Sequence, residues 1–400
     1  MRPWLRATSG GVAGAIVGAV VTLAVQSAGS SVPDERRASP PIGPDTSPTT
    51  FLAWVPRGLP TGFADAVEEL GGIEASTVVA EDIAWLEASW SAAGERVDDP
   101  PPRFRIPIDV AAVDAAAYRR FVPAADRPAL AAVDDGQAVL SATSAALREL
   151  GPGAMLAFAG DVRVRVAAVL PDHLVGAAEM LVDRDVGRAL GVRHERYALV
   201  RPVDPDASTG VVKAMLRPLL PSSLGVNRRI QVRAPGDTPY FRAGDAVLPL
   251  VVVKALFGEF AARPNPRARG GLIVDPTWLH ANIRRTELPA IDGTVTCHRA
   301  ILPQLEGALR ELVDRGLAER LRSYHGCFVP RHIGGDPRNL LSYHSWGIAL
   351  DVNLAGNVRG QAPRQPPALV RTLERWGFTW GGSWLVPDGS HFEFHRLPAS

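Results

Sequence analysis

"SYHSWGIALDVN", residues 342–353, decides how the C-terminal part of this chain folds. From Gly347 onward the residues alternate: Ile348, Leu350, Val352 and then Leu354 fall on one face, and Ala349, Asp351 and Asn353 on the other. That is the period-two signature of a strand with one buried face. Asp and Asn are poor strand formers, so their positions answer a need other than the strand's. His344 precedes the strand across a Ser-Trp-Gly turn, which lets an imidazole and the Asp351 carboxylate converge.

A second segment, "WLVPDGSHFEFH" (384–395), repeats the logic. A strand from Ser390 puts Phe392 and Phe394 on one face and His391, Glu393 and His395 on the other, with Asp388 three residues before His391 across a glycine turn. Two His and one Asp make a catalytic zinc set that leaves a fourth position for water. A nearby carboxylate can then take a proton from that water. His344, Asp351 and His391 are therefore the candidate metal ligands, and Asp388 the candidate base. Two rival readings use the same residues. His391, Glu393 and His395 on a flat strand span about 13 Å, too far to share one ion. Ser342, His344 and Asp351 have the composition of a serine triad, but there is no G-x-S-x-G elbow.

S-x-H-x-x-G-x-A-x-D (Ser342, His344, Gly347, Ala349, Asp351) followed by D-x-x-H-F-E (388–393) resembles the zinc D-alanyl-D-alanine carboxypeptidase family of peptidoglycan metallopeptidases, the LAS type. "GCFVPRHIGGDPRNLLSYHSWGIALDVNLAGN" (326–357), "FGEFA" (257–261), "DPTWLHANI" (275–283) and "GFTWGGSWLVPDGSHFEF" (377–394) resemble its membrane-anchored actinobacterial branch. The resemblance runs over roughly residues 250–398. It implies zinc on His344, Asp351 and His391, Asp388 as catalytic carboxylate, and a peptidoglycan stem peptide as substrate. It also implies that Arg331, with Ser342 beside it in the substrate site, steadies an oxyanion or a substrate carboxylate, for which a guanidinium fork is suited; Arg338 is the weaker candidate. Exopeptidases and endopeptidases share the motif. A binding scaffold that has lost activity is the rival from another class, and the intact ligand and base positions argue against it.

The rest of the chain supplies context. Lys+Arg 43 against Asp+Glu 42 leaves no field to attract nucleic acid. After Arg2 and Arg6 no charge occurs before Asp34, and "GGVAGAIVGAVVTLAV" (10–25) is apolar. This predicts a cytoplasmic tail at 1–8, a transmembrane signal-anchor at 9–28 and export of the residues C-terminal to it. A cleavable signal peptide is the alternative, since "VQSAGS" (25–30) offers small residues. Residues 29–50 read as a Pro/Ser-rich linker. The two cysteines, Cys297 and Cys327, form an even pair in an exported chain and are expected to be disulfide-bonded.

The expected fold is α+β: an α/β extracytoplasmic domain over 51–225 that meets or positions an envelope protein, then the zinc peptidase-like domain over 226–400, a small antiparallel sheet flanked by helices. Helices are expected at 60–72, at 297–321 with Ile301, Leu305, Leu309, Leu312 and Val313 on one stripe, and at about 366–376. "RFRIPIDV" (103–110) and "VRVRVAAV" (162–169) read as half-buried strands.

Overall fold

The computed structural model describes residues 50–221, 229–238, 240–291 and 293–397. The expected tail, signal-anchor and all but the last residue of the linker lie outside the described residues, among which no helix is long and apolar enough to cross a membrane. The fold is mixed α+β, with one large sheet and several small ones.

The large sheet is built from β1 (Phe51–Trp54), β2 (Ile73–Trp90), β3 (Ile106–Val113), β4 (Ala138–Ser141), β5 (Met155–Phe158), β6 (Val162–Leu170), β7 (Met180–Asp183), β8 (Glu195–Pro202) and β9 (Gln231–Arg233). Its order is β3-β7-β4-β6-β5-β2-β8-β1-β9, and β3 also pairs with β2. Six strands thus close a ring, β2-β3-β7-β4-β6-β5, while the first half of β2 carries β8, β1 and β9 outside it. The 18 residues of β2 permit this: Ile73–Ala80 pairs with β8 and Ala80–Leu86 with β3. Closure removes sheet edges that would otherwise need cover. Alternate residues fill one core, including Leu86, Ile108, Val110, Leu140, Phe158, Val166, Met180 and Val182. Their neighbours Ala111, Val113, Val139 and Leu181 pack into a second core on the opposite face.

The segment expected to be a half-buried strand from 103 begins instead at Ile106 and is buried on both faces, because this second core covers its outer side. The 162–169 strand forms with its arginines outward, Arg163 and Arg165 exposed. The 60–72 helix shortens to Phe63–Glu68. The large sheet also runs past residue 225, since β9 pairs with β1.

Inside this part, Glu81 and Asp109 are buried and hydrogen-bonded to each other. Burial drives both carboxyls towards their neutral forms, raising both, Asp109 well above the usual range. Stability from such groups is complete below their unfolded values near pH 4. It is lost as pH rises through their raised folded values. Asp109→Asn should therefore flatten the decline in urea midpoint from about pH 4 upward; an equally steep decline in the variant would reject the linkage.

The remaining strands are short. β10 (Ala262–Pro264) pairs with β11 (Leu272–Val274), and β12 (Ile283–Leu288) with β13 (Gly293–His298). β14 (Tyr324–His325), β15 (Ala349–Val352), β16 (Phe378–Trp380) and β17 (His391–Phe394) form an antiparallel sheet in the order β14-β15-β17-β16. Helices Leu302–Asp314 and Pro367–Arg375 supply Leu305, Leu309, Leu312, Leu369 and Leu373 to the same core as Leu350, Phe392 and Phe394. The first helix starts five residues later than expected because Cys297 and His298 belong to β13. Val313, expected on its apolar stripe, is exposed. Trp376 is partly buried, its indole N–H donating to Glu311 at 2.8 Å.

Candidate metal centre

Two adjacent antiparallel strands bring the second and third candidate ligands together. Asp351 of β15 and His391 of β17 are direct cross-strand partners, and such pairs place their Cβ atoms about 5 Å apart on one face. The polar alternation read from the sequence therefore faces a single point. Asn353 does not join it: its backbone leaves the strand at φ 52°, and its side-chain carbonyl oxygen accepts the N–H groups of Arg322 and Ser323. Leu354, expected beside Val352, is likewise turned to solvent.

His344 arrives from a single 3₁₀ turn, Tyr343–Ser345. Ser342 caps this turn, its hydroxyl accepting the His344 N–H at 3.4 Å. Gly347 comes next at φ 70°, where a Cβ would meet the His298 nitrogen at 2.9 Å, so the turn needs glycine for both conformation and space. Trp346 anchors it, donating its indole N–H to the Gly258 carbonyl at 3.0 Å.

The donor atoms of His344, Asp351 and His391 lie within 4.8 Å of one another. His391 Nδ1 is 3.2 Å from Asp351 Oδ1, and His344 Nε2 is 3.3 Å from Asp351 Oδ2. The other nitrogen of each ring is committed. His344 Nδ1 donates to the Cys327 carbonyl at 2.9 Å, and His391 Nε2 faces Glu393 Oε2 at 3.2 Å. His344 Nε2, fully buried, makes no hydrogen bond, which is costly for a polar atom unless something else satisfies it. A borderline ion accepting two imidazole nitrogens and a carboxylate oxygen would do so, and this donor set suits zinc. The commitment of His344 Nδ1 to a backbone carbonyl also removes it from any serine triad.

Electrostatics agree with a cation site. Burial lowers His344. For Asp351, burial acts upward, but the imidazoles of His344 and His391 beside it outweigh it and hold the carboxyl below the usual carboxylate range. His391 is likewise lowered by burial, yet Asp351 and Glu393 push it up to about 9. In the metal-free protein His391 is therefore protonated at neutral pH, whereas a metal requires it neutral. Zinc binding at pH 7 should release about one proton per ion, measurable by calorimetry in buffers of different ionisation enthalpy; no dependence on buffer would contradict the pairing.

Glu393 is a further carboxylate beside the cluster, with no role evident from the sequence. Its alternation put it on the His391 face, but only the fold shows its carboxylate at the far nitrogen of His391, buried beside it. Carboxylates so placed fix the tautomer and orientation of a ligating imidazole. Glu393→Gln should weaken zinc binding by about tenfold or more with the fold intact, read by competition with a chelating dye; unchanged affinity would reject the role.

Of the other predicted residues, Arg331 and Asp388 adjoin the trio. Arg331 Nη2 is 3.8 Å from Asp351 Oδ2, and its backbone is tied to Ser345 and Ser342. Asp388 lies in the turn before β17, outside the three-donor cluster. Its backbone N–H donates to Gly381, its carbonyl accepts the His391 N–H, and its carboxylate accepts the Ser390 hydroxyl at 3.3 Å. Trp384 lies over His391 with ring centroids 5.2 Å apart. Arg338 is held by Asp336 on the surface. Cys297 and Cys327 are disulfide-bonded, as expected.

Residues 335–394 match the family model described as D-alanyl-D-alanine carboxypeptidase. No curated protein matches the chain. Among solved structures, the periplasmic region of MacB from Actinobacillus actinomycetemcomitans matches at 14% identity and TM-score 0.31, covering 46% of this chain and 88% of that one. The extracellular domain of the noncanonic ABC-type transporter YknZ from Gram-positive bacteria matches at 14% identity and TM-score 0.30, covering 46% and 99%.

Proposed function

We propose that this chain is a zinc-dependent peptidase that hydrolyses peptidoglycan stem peptides, foremost as a D-alanyl-D-alanine carboxypeptidase. The observation that carries the reading is the convergence of His344, Asp351 and His391, with a buried, unsatisfied imidazole nitrogen, inside the segment that matches the carboxypeptidase family model.

Zinc bound by these three residues would supply Lewis acidity, lowering the pKa of water and polarising a peptide carbonyl. Asp388 takes the proton of the attacking water and returns it to the departing amine. Arg331, partly exposed beside Asp351, stabilises the developing oxyanion or holds the substrate's carboxylate. Glu393 and the Cys327 carbonyl keep the two imidazoles aimed. Export by the apolar 9–28 segment, retained as an anchor, places the site in the envelope, where a disulfide persists; no nucleic acid is involved. Residues 51–225 are assigned contact with an envelope protein.

The test offers the purified chain a stem peptide ending in D-Ala-D-Ala, with and without a chelator, and restores zinc. Free D-Ala released only with metal supports the carboxypeptidase reading; internal fragments would place the cut within the stem; a chain that binds no zinc would reject the reading.

A further inference from the structure

The segment Tyr324–Arg331 touches the metal centre three times in eight residues. β14 pairs with β15 so that His325 stands opposite Asp351. The Cys327 carbonyl accepts the Nδ1–H of His344 at 2.9 Å. Arg331 reaches Asp351 Oδ2 at 3.8 Å. The segment has no helix and only a two-residue strand, so its own backbone cannot hold a carbonyl in place. One tie that holds it is the bond from Cys327 to Cys297 in β13, with both cysteines fully buried. Two hydrogen bonds flank that bond, Phe328 N–H to the Thr296 carbonyl at 2.9 Å and Val329 N–H to the His344 carbonyl at 3.0 Å. The Tyr324 hydroxyl lies 3.0 Å from the Cys327 sulfur and 3.4 Å from that of Cys297.

We infer that the Cys297–Cys327 disulfide is a positioning element of the metal centre, and that closing it makes the site competent to hold zinc. The physical reason is direct: the disulfide is joined to the residue whose carbonyl selects the His344 tautomer. That choice leaves Nε2 as the atom aimed at Asp351. Orienting partners of this kind set metal affinity strongly. Closure takes two protons and two electrons from the two thiols; a disulfide oxidant such as oxidised glutathione accepts them and leaves as two thiols. In a reducing compartment the chain stays metal-poor, and it becomes loaded after reaching an oxidising one. The inference rests on the zinc reading above.

The experiment measures zinc affinity by chelator competition for the oxidised full chain, for Cys297→Val/Cys327→Ala, and for Leu130→Ala. The last is a core change in the large-sheet part that controls for loss of stability alone. The cysteine variant carries no thiols that could bind zinc themselves. The expected result is affinity weakened about 10- to 100-fold in the cysteine variant, and unchanged in Leu130→Ala, at a temperature where circular dichroism shows all three folded. Equal affinity in the oxidised chain and the cysteine variant would overturn the inference while leaving the zinc reading standing. An oxidised chain that takes up no zinc would overturn both. Should the cysteine variant not fold, the parent chain refolded with its thiols reduced takes its place, with His344→Ala as background for zinc held by thiols. Affinity gained only on closure supports the inference; full affinity before closure overturns it.

Discussion

Asp388→Asn is expected to lower kcat on a stem peptide by about 10²- to 10⁴-fold, the usual contribution of a general acid–base group, while zinc stays at one ion per chain. The substitution keeps size and hydrogen-bonding reach but removes the capacity to accept a proton. It should leave the fold alone, because the backbone holds the turn: Asp388 N–H to the Gly381 carbonyl at 2.8 Å and His391 N–H to the Asp388 carbonyl at 3.1 Å. Asp388 also lies outside the three-donor cluster, so metal content and activity should part company. Steady-state kinetics beside elemental analysis decides the matter. Loss of zinc together with activity would mean that Asp388 serves the metal; retained activity would mean that the base lies elsewhere.

The largest stability effect should come from a buried charge cluster that contains none of the candidate metal ligands. Lys254, buried, donates to Glu179 Oε1 at 2.6 Å, to Glu259 Oε1 at 2.8 Å and to the Pro107 carbonyl. Arg148, also buried, joins the same two carboxylates and reaches Asp98 at 3.2 Å. Burial acts to raise Glu259, but Lys254 and Arg148 outweigh it and hold its carboxyl low. Lys254→Met would leave Glu179, fully buried, with an uncompensated share of its charge. Removing one partner of such a buried pair costs about 3–5 kcal/mol, and urea denaturation should register a loss of that size. Replacing Lys254 and Glu179 together by apolar residues should cost less than the two single changes added, since neither charge is then stranded. Strict additivity would show that the cluster does not act as a unit. The effect should reach the turn that carries His344. Glu259 adjoins Gly258, whose carbonyl receives the Trp346 indole, and Phe260, whose ring packs on Trp346 at 4.7 Å.

The large-sheet part and the part that carries the candidate ligands are joined elsewhere too. Arg105 bridges Ala262, and Trp85 meets the His332 ring at 6.4 Å. Arg196, held by Asp82 at 2.8 Å, donates to the Arg338 carbonyl. Leu385, in the turn leading to Asp388, packs against the core that contains Leu52 and Trp54. Both loops that flank the three donors, the one bearing Arg331 and the one bearing Asp388, therefore rest on residues from the first two hundred of the chain.

The three candidate metal donors, and the strands that carry two of them, are legible in the amino-acid order alone. Strand periodicity is local: Asp351 and His391 show their face in a window of five residues, and Gly347 marks the turn that aims His344. Local pattern also has limits. Val313 fits the helical stripe but is exposed, and the helix expected from residue 297 starts at Leu302, since β-pairing and the disulfide claim its first turn. The support beneath the donors comes from the packed chain instead. Glu393 shows its face in the sequence but not its partner nitrogen. The Cys327 carbonyl carries no side-chain signal, because every residue has one. The closed ring of six strands and the Arg148–Glu179–Lys254–Glu259 cluster join residues up to 111 positions apart. A buried charge is stable only where the packed chain supplies its partner, and no local stretch of sequence states where that partner will be.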